Sequence, residues 1–165
     1  MNFDKLVEEI SQYVPKDVQR QRENVSWADG ITFISPVHWL NFPTILDGWI
    51  QRVFSHNFAY ALKKDGWAGY ADGRKPLLES KLEKALLIWI TKFRPEVYNK
   101  PICPDKEITL KDAMEDKINY WDLTMPGIKD VESVFFYSVM AVCAEVREKY
   151  KKRTYELGLN FWSPQ

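Results

Sequence analysis

Three short apolar segments stand out along the chain, and each is followed by a segment with helix-like spacing. Residues 31–35 follow an Asp29-Gly30 turn signal, residues 85–90 are apolar at every position, and residues 131–139 are rich in Val, Phe and Tyr. Short length and β-branched content favour strands over helices. A run without polar alternation is typical of a strand buried on both faces of a parallel sheet, which is how we interpret residues 85–90.

The intervening segments carry helix signals. Pro43 suits the first turn of a helix, where its missing N–H would be unpaired in any case. One face of that helix carries Ile45, Leu46, Trp49, Ile50 and Val53. Thr109 is a candidate helix cap, with Asp112 near the capping-box position. Residues 141–157 are predicted to form the closing helix, with Gly158 just past its end.

Strand followed by helix, three times over, predicts a parallel α/β sheet with right-handed crossovers. In such sheets ligands bind at the carboxyl ends of the strands. The loops 36–42 and 92–98 leave the carboxyl ends of two predicted strands, so we expect them to lie side by side. These loops are the predicted functional region, although the fold by itself names no ligand.

Two further segments carry weaker signals. Residues 3–13 have helical spacing and are interpreted as a scaffold helix, followed after Pro15 by a helix-compatible segment at 16–26. Residues 57–76 form a long loop whose aromatic side chains indicate an ordered lid or interface arm rather than a floppy linker. The glycines of that loop lack the spacing of a phosphate-binding motif.

Composition narrows the classes of function. A chain of 165 residues predicts one domain, and its 23 Lys plus Arg balance its 23 Asp plus Glu. This balance argues against nucleic-acid or membrane-surface binding driven by bulk charge. Seven tryptophans indicate a thick core, an aromatic pocket or a protein interface. No apolar run approaches the ~20 residues of a membrane span, and the amino terminus has no signal-peptide pattern.

Taken alone, the candidate residues have plain structural interpretations. Trp39 reads as core or interface packing, and Tyr98 reads as a surface tyrosine. His38 has no His, Cys or carboxylate at ligand spacing, so no metal site is predicted. Cys103 and Cys143 lie far apart and form no CxxC motif, which favours a reduced, cytoplasmic setting over a disulfide scaffold.

Residues 28–60 carry a long ordered motif, ADGITFISPVHWLNFPTILDGWIQRVFSHNFAY. This motif closely resembles the NAD(P)H:quinone oxidoreductases of the flavodoxin-like fold, the DT-diaphorase and drug-modulator group. Their pattern is Ala-Asp, an apolar strand, Pro-x-x-Trp, Pro-x-Ile-Leu-x-Gly-Trp, Arg-Val-Phe and Phe-Ala-Tyr. A weaker resemblance continues through residues 84–98 and past Gly127 to the carboxyl-terminal helix, so that it covers most of the chain.

The resemblance implies roles for individual residues. The residues implied to line the isoalloxazine ring of a flavin are Pro36, Val37, His38, Trp39 and Leu40. Thr91 matches a flavin-contacting threonine, and Tyr98 matches a tyrosine that hydrogen-bonds the substrate or the charge on reduced flavin. Phe58 and Tyr60 match aromatic residues that reach across a dimer interface.

The implied activity is a ping-pong, two-electron hydride transfer from NAD(P)H through FAD or FMN to a quinone. The implied fold is a flavodoxin-like three-layer α/β/α sandwich with a parallel sheet, amino-terminally truncated so that about three strands remain. Residues 1–165 would form this single domain, incomplete at its amino terminus. The implied partners are a quinone and either a second copy in a homodimer or a complementing chain.

The chain departs from the family pattern in two places. Lys92-Phe93 stands where the family has a Gly-Gly pair that lets backbone N–H groups approach the ring. The first strand, phosphate-binding loop, helix and second strand of the family have no counterpart ahead of Met1. The strand at 31–35 is then expected to be an apolar sheet edge, and the flavin is expected to bind weakly without its phosphate anchor.

Three hypotheses follow from these departures. The chain is an oxidoreductase completed by another polypeptide or by sequence missing from the reading frame, a non-catalytic regulatory subunit, or an inactive fragment. Some relatives in this family are ancillary proteins of ion-efflux systems, which is the precedent for the second hypothesis. An adjacent coding segment with a strand and a Ser/Thr-rich phosphate loop would favour the first.

Overall fold

The computed structural model describes residues 13–62 and 74–163 of the chain. The elements in chain order are α1 (Lys16–Trp27), β1 (Gly30–Pro36), α2 (Thr44–Val53), β2 (Tyr60–Leu62), β3 (Arg74–Pro76), β4 (Lys84–Ile90), α3 (Pro95–Tyr98), α4 (Leu110–Glu115), a π-helix (Asp116–Thr124), β5 (Asp130–Phe136) and α5 (Ala144–Leu159). The scaffold helix predicted at 3–13 lies outside the described residues, apart from Tyr13. In the described ranges, no helix combines the length and apolar character needed to cross a membrane.

The predicted strands form a parallel sheet in the order β1-β4-β5. The seven residues of β1 pair in register with the seven of β4, which pair in the same way with the seven of β5. Parallel neighbours need crossover connections, and α2 lies in the first crossover and the π-helix in the second. Because the register is even, the carboxyl ends of the strands line up at one edge of the sheet.

The central strand β4 is buried between two helical layers. Ala85, Leu87 and Trp89 join the larger core with side chains of α1, α2 and the π-helix. Leu86 and Ile88 point the other way and pack beneath α5. The prediction of a strand buried on both faces is therefore confirmed, and each large apolar side chain in it contributes ~1.5–3 kcal/mol through burial.

β1 is an edge strand within the described ranges, because β4 flanks it on one side and no described strand flanks it on the other. Phe33 and Ser35 are buried, whereas Thr32 and Ile34 point to the opposite face and are exposed, Ile34 by 58%. An apolar side chain beside unpaired backbone groups invites pairing with another strand. The expectation of an apolar edge at 31–35 agrees with this arrangement.

The helix predicted after Thr109 begins as expected and changes form in its second half. The Asp112 N–H donates to Thr109 Oγ1 at 3.1 Å, and the Thr109 N–H donates to Asp112 Oδ2 at 2.9 Å, so the capping box is confirmed. α4 then passes into the π-helix at Asp116. Apolar spacing does not predict a π-helix. This form is rare in proteins overall, and it is found frequently at functional sites.

The loop predicted at 57–76 contains a small sheet that the sequence does not signal. β2 and β3 pair antiparallel, with Tyr60 opposite Pro76. Strands of three residues are too short for an alternating pattern to be recognised. The predicted lid falls mainly on residues 63–73, which lie outside the described residues.

Two predicted boundaries near the carboxyl end were wrong. β5 ends at Phe136 rather than at residue 139, because the chain turns at Ser138, whose backbone is left-handed with φ of +52°. α5 begins at Ala144 rather than at residue 141, and it continues through Gly158. The helix ends at Leu159, and the backbone N–H of Asn160, the cap residue, donates to the Glu156 carbonyl.

Candidate functional site

Three loops meet where the parallel strands end. The Val37 N–H donates to the Ile90 carbonyl at 3.1 Å, which joins the loop after β1 to the end of β4. The Thr91 N–H donates to the Phe136 carbonyl at 2.8 Å, and the Val139 N–H donates back to the Thr91 carbonyl at 3.1 Å. The loops after β1 and β4 therefore lie side by side, as predicted, and the loop after β5 adjoins them.

The loop after β1 folds into a tight turn at residues 38–41, which we call the Trp39 turn. The backbone N–H and carbonyl groups of His38 and Asn41 bond each other reciprocally, both at 2.9 Å. Trp39 and Leu40 between them have φ of +50° and +59°. Two successive left-handed residues are the pattern of a type I′ turn, which normally uses Asn-Gly. Trp39 lies at the tip of this turn and is 100% exposed.

Such a turn is strained. The left-handed conformation costs L-residues roughly 1–2 kcal/mol each, and strain of this kind clusters at ligand sites. The described non-glycine residues with positive φ are Trp39, Leu40, Asn57 and Ser138. All but Asn57 lie in the loops at the carboxyl ends of the sheet.

Buried residues hold the base of the Trp39 turn. Phe42 stacks on Trp89 of β4, with ring centroids 4.7 Å apart and planes 23° apart. The Asn41 side chain accepts a hydrogen bond from Lys117 Nζ at 3.2 Å and donates to Asp47 Oδ1 at 3.4 Å. The turn is thus joined to the sheet below it and to the π-helix beside it.

The other two loops also display apolar side chains. Phe93 and Met140 are exposed large apolar residues after β4 and β5. The Phe93 carbonyl accepts hydrogen bonds from Thr91 Oγ1 at 3.0 Å and from the Ser138 N–H at 3.1 Å. Lys92-Phe93, which replaces the family's Gly-Gly pair, therefore forms an ordered turn tied to the loop after β5.

Thr91 and Tyr98 lie beneath these loops rather than on their surface. Thr91 is 1% and Tyr98 3% exposed, and the Thr91 hydroxyl lies near the Tyr98 phenol. Tyr98 ends the short helix α3, and its ring packs 6.0 Å from Phe135 and 5.7 Å from Tyr137. Burial raises the pKa of the Tyr98 phenol, although the Thr91 hydrogen bond lowers it. Tyr98 is thus a neutral hydrogen-bonding group at neutral pH.

Two more titratable residues approach this buried pair, and sequence reasoning missed both. Burial raises the pKa of Tyr137, and the nearby Glu115 carboxylate raises it further. Burial also raises the pKa of Glu115, while Lys111 lowers it. Tyr137 follows the last residue of β5, so its place at a strand end was the available signal. Glu115 had no signal, because only the fold brings it there.

The remaining predicted ring-lining residues occupy different depths. Pro36 and His38 are exposed, and Val37 packs partly against the core. Among the residues that the structure describes, no three His, Cys, Asp or Glu side chains converge as metal ligands.

Phe58 and Tyr60 lie near the opposite end of α2 from the Trp39 turn. Phe58 packs partly into the core, with the Arg22 guanidinium 5.1 Å and Lys81 Nζ 5.2 Å from its ring centroid. Tyr60 begins β2, with its ring 5.9 Å from that of His56. Both aromatic residues pack within their own chain, and the dimer role implied for them stays a prediction.

The Trp39 turn has the chemistry of a wall for a planar, partly polar ring. Its tip offers the indole of Trp39, the exposed Leu40 side chain and the backbone N–H groups of these two residues, which make no hydrogen bond in the described structure. A phosphate site, in contrast, needs backbone N–H donors at the amino terminus of a helix. α2, the helix after this loop, begins behind Pro43, which has no N–H to donate. The Trp39 turn therefore offers contacts to a planar ring, whereas the Pro43 end of α2 has one backbone donor fewer for a phosphate.

A parallel sheet with helices on both faces defines a fold of the open α/β class, in which ligands bind at the loops after the strands. The chain belongs to the family with the flavodoxin-like fold, whose model matches residues 3–157. The fold predicted from the sequence resemblance is thereby confirmed.

Individual relatives match shorter stretches. An uncharacterized NAD(P)H oxidoreductase from Haemophilus influenzae is 39% identical over 66 residues, covering 36% of this chain and 33% of the relative. Human ribosyldihydronicotinamide dehydrogenase (quinone) is 34% identical over 84 residues, covering 51% and 32%. The structure of an NAD(P)H:quinone oxidoreductase from Methanothermobacter marburgensis superposes with a TM-score of 0.73 at 23% identity, covering 97% and 74%. The sequence matches span about a third of these relatives' length.

Proposed function

We propose that this chain is the ring-binding part of a flavin-dependent NAD(P)H:quinone oxidoreductase. The observation that carries the proposal is the strained Trp39 turn, which displays an aromatic side chain at the carboxyl ends of the parallel strands. The flavodoxin-like family supports the fold of the site. The two sequence relatives, an NAD(P)H oxidoreductase and a quinone-reducing dehydrogenase, support NAD(P)H as the reductant and a quinone as the acceptor.

The flavin, when bound, supplies the two-electron chemistry between NAD(P)H and quinone. The residues that we assign to the wall of its ring site are Pro36, Val37, His38, Trp39 and Leu40. Trp39 and Leu40 orient the ring and exclude water from one side, and their free backbone N–H groups offer hydrogen bonds to its polar edge. We also assign Thr91 a flavin contact, made where this residue anchors the loop after β4.

Tyr98 is proposed to donate a hydrogen bond that stabilises negative charge developing at the site. Its raised pKa keeps the phenol protonated at neutral pH, as a donor must be. The rings of Phe135 and Tyr137 hold the tyrosine in place. Because Tyr98 is buried, the proposal requires neighbouring groups to move when a ligand binds.

We further propose that the chain by itself holds FMN or FAD weakly and reduces quinones slowly. A phosphate nest normally supplies several charge-assisted hydrogen bonds at ~1.5–3 kcal/mol each, so a chain that binds the flavin ring without one binds it more weakly by orders of magnitude. Among the described residues, the outer edge of β1 is free to pair with a complementing strand. The exposed thiols of Cys103 and Cys143 support the proposed reducing, cytoplasmic setting.

Flavin titration followed by fluorescence quenching tests the ring site, with and without an added family-like amino-terminal segment. Trp39→Ala should weaken FMN binding about 2- to 10-fold, the equivalent of an aromatic contact of ~0.5–1.5 kcal/mol. Trp162→Ala is the matched control, because Trp162 is an exposed tryptophan packed on Phe161 beside Gly30 at the other end of the sheet.

Equal losses in both variants would remove the Trp39 turn from the site. Tight, stoichiometric binding by the unsupplemented chain would show that the flavin phosphate is held elsewhere. Flavin binding without quinone reduction, even with the added segment, would favour the regulatory-subunit alternative.

A further inference from the structure

We propose that Lys117 of the π-helix is a positioning residue that holds the Trp39 turn in its ligand-binding conformation. This inference rests on the proposed function in one respect, since it takes the turn to be the wall of the flavin site. The physical claim concerns the turn alone and is testable without a ligand.

The Lys117 ammonium has a complete set of partners. Nζ lies 3.2 Å from Asn41 Oδ1, 3.4 Å from Asp47 Oδ1 and 3.1 Å from Asp122 Oδ2. An ammonium carries three N–H donors and no acceptor, so these three oxygens satisfy it fully. We call these four residues the Lys117 cluster.

The π-helix is what makes the cluster possible. Side chains that meet on an α-helix are three or four residues apart. Lys117 and Asp122 are five apart, and five residues is the hydrogen-bond spacing of a π-helix. The same spacing is seen where the Met125 N–H donates to the Tyr120 carbonyl at 2.8 Å. Asp122 thus lies one π-turn beyond Lys117 and fixes the direction of the lysine side chain.

Asn41 connects the oriented Lys117 side chain to the Trp39 turn. Its backbone closes the turn with His38, and its side chain bonds both Lys117 and Asp47. Lys117 is 76 residues away in sequence, so the contact belongs to the tertiary structure. A strained backbone persists only where its surroundings over-determine it. The Lys117 cluster supplies that constraint at Asn41, next to the Phe42 ring that stacks on Trp89 of the sheet.

The cluster is better suited to local order than to global stability. Its side chains are partly exposed, and ion pairs in such positions add little to the free energy of unfolding. Removing the lysine should therefore leave the fold and its unfolding temperature nearly unchanged, while the turn samples other conformations. That separation distinguishes a positioning role from a merely structural one.

The first test follows the Trp39 indole by NMR of protein labelled with ¹⁵N-tryptophan, with Trp39→Phe identifying its signal. In Lys117→Met this signal should shift or broaden while the other indole signals stay in place, and Lys117→Arg should restore part of the original spectrum. Lys129→Met is the matched control, because Lys129 pairs at 2.9 Å with Glu79, away from the turn.

The second test is a flavin titration of the same variants. Lys117→Met should raise the Kd for FMN about threefold if the turn keeps its binding conformation for a third of the time. In a Trp39→Ala background the same substitution should add nothing, because the two changes act through one contact.

Different results would contradict the proposed function and the proposed role of Lys117. A wild-type chain that binds no flavin even with the added amino-terminal segment defeats the proposed function, while the indole spectra still decide the role of Lys117. An unchanged Trp39 signal in Lys117→Met overturns the inference. Asp122→Asn gives the same reading if Lys117→Met does not fold, since it removes the oxygen charge that directs the lysine and preserves side-chain size.

Discussion

At the scale of single residues, the site is built from side chains in uncommon states. Trp39 and Leu40 occupy left-handed backbone conformations, and Tyr98 is a phenol buried beneath the loops. The motif resemblance singled out all three positions, and their roles at a flavin site stay predictions. Neither the strain nor the burial was predictable, because Trp-Leu carries no turn signal and an isolated tyrosine carries no sign of its depth.

The buried phenol predicts a dependence of stability on alkaline pH. The pKa of Tyr98 is raised in the folded state, so above about pH 10 the unfolded chain releases a proton that the folded chain retains. The free energy of unfolding should therefore fall as pH rises through this range. Tyr98→Phe should reduce that slope, because it removes the group that titrates.

Urea unfolding between about pH 8 and 11 measures this slope. Tyr155→Phe is the control, because it removes an exposed tyrosine on α5. Identical slopes for the wild type and Tyr98→Phe would mean that the Tyr98 proton is not held by burial.

At the scale of elements, the sequence predicts where a helix begins better than how far it continues or which helical form it takes. The capping box at Thr109 is local chemistry and was predicted correctly. The change from α4 into the π-helix, and the continuation of α5 through Gly158, depend on what each helix packs against. Apolar spacing does not contain that information.

The end of the π-helix supplies a prediction on this scale. Gly127 has φ of +124°, and a Cβ there would meet the Glu79 backbone nitrogen at 2.5 Å. Gly127→Ala should cost ~1–3 kcal/mol of unfolding free energy, since neither backbone has room to shift. Gly48→Ala, in the middle of α2 with no atom within 4 Å of the added methyl group, should instead gain about 0.5–1 kcal/mol.

Urea denaturation of the two variants, with circular dichroism to check the fold, measures both values. Equal effects of the two substitutions would contradict the claim that the turn at Gly127 requires glycine.

At the scale of the whole molecule, the sheet has an open side. β1 has no described partner strand at its outer edge, and Ile34 is exposed on the sheet face turned away from the larger core. Natural proteins avoid an apolar edge of this kind unless something pairs with it. The proposed complementing segment would supply both the missing strand and the phosphate site.

Ile34→Lys tests whether β1 is the docking edge. The substitution should change the unfolding free energy of the chain by less than about 0.5 kcal/mol, because the side chain is exposed. It should also prevent an added amino-terminal segment from improving flavin binding, since lysine on an edge opposes strand pairing. Ile108→Lys, at an exposed position between α3 and α4, is the control. Full improvement of flavin binding in Ile34→Lys would place the docking surface elsewhere.

The sequence by itself determined the parallel strands, the burial of β4, the capping box at Thr109 and the meeting of the loops after β1 and β4. These features depend on short apolar runs, on cap residues and on the rule that parallel strands end at one edge. The tertiary structure alone decided the strained Trp39 turn, the burial of Tyr98 and the reach of Lys117 to Asn41 across 76 residues. The difference lies in how far apart in sequence the interacting groups are. Periodicity and capping depend on residues that are close in sequence, whereas strain and burial are set by groups that are distant in sequence.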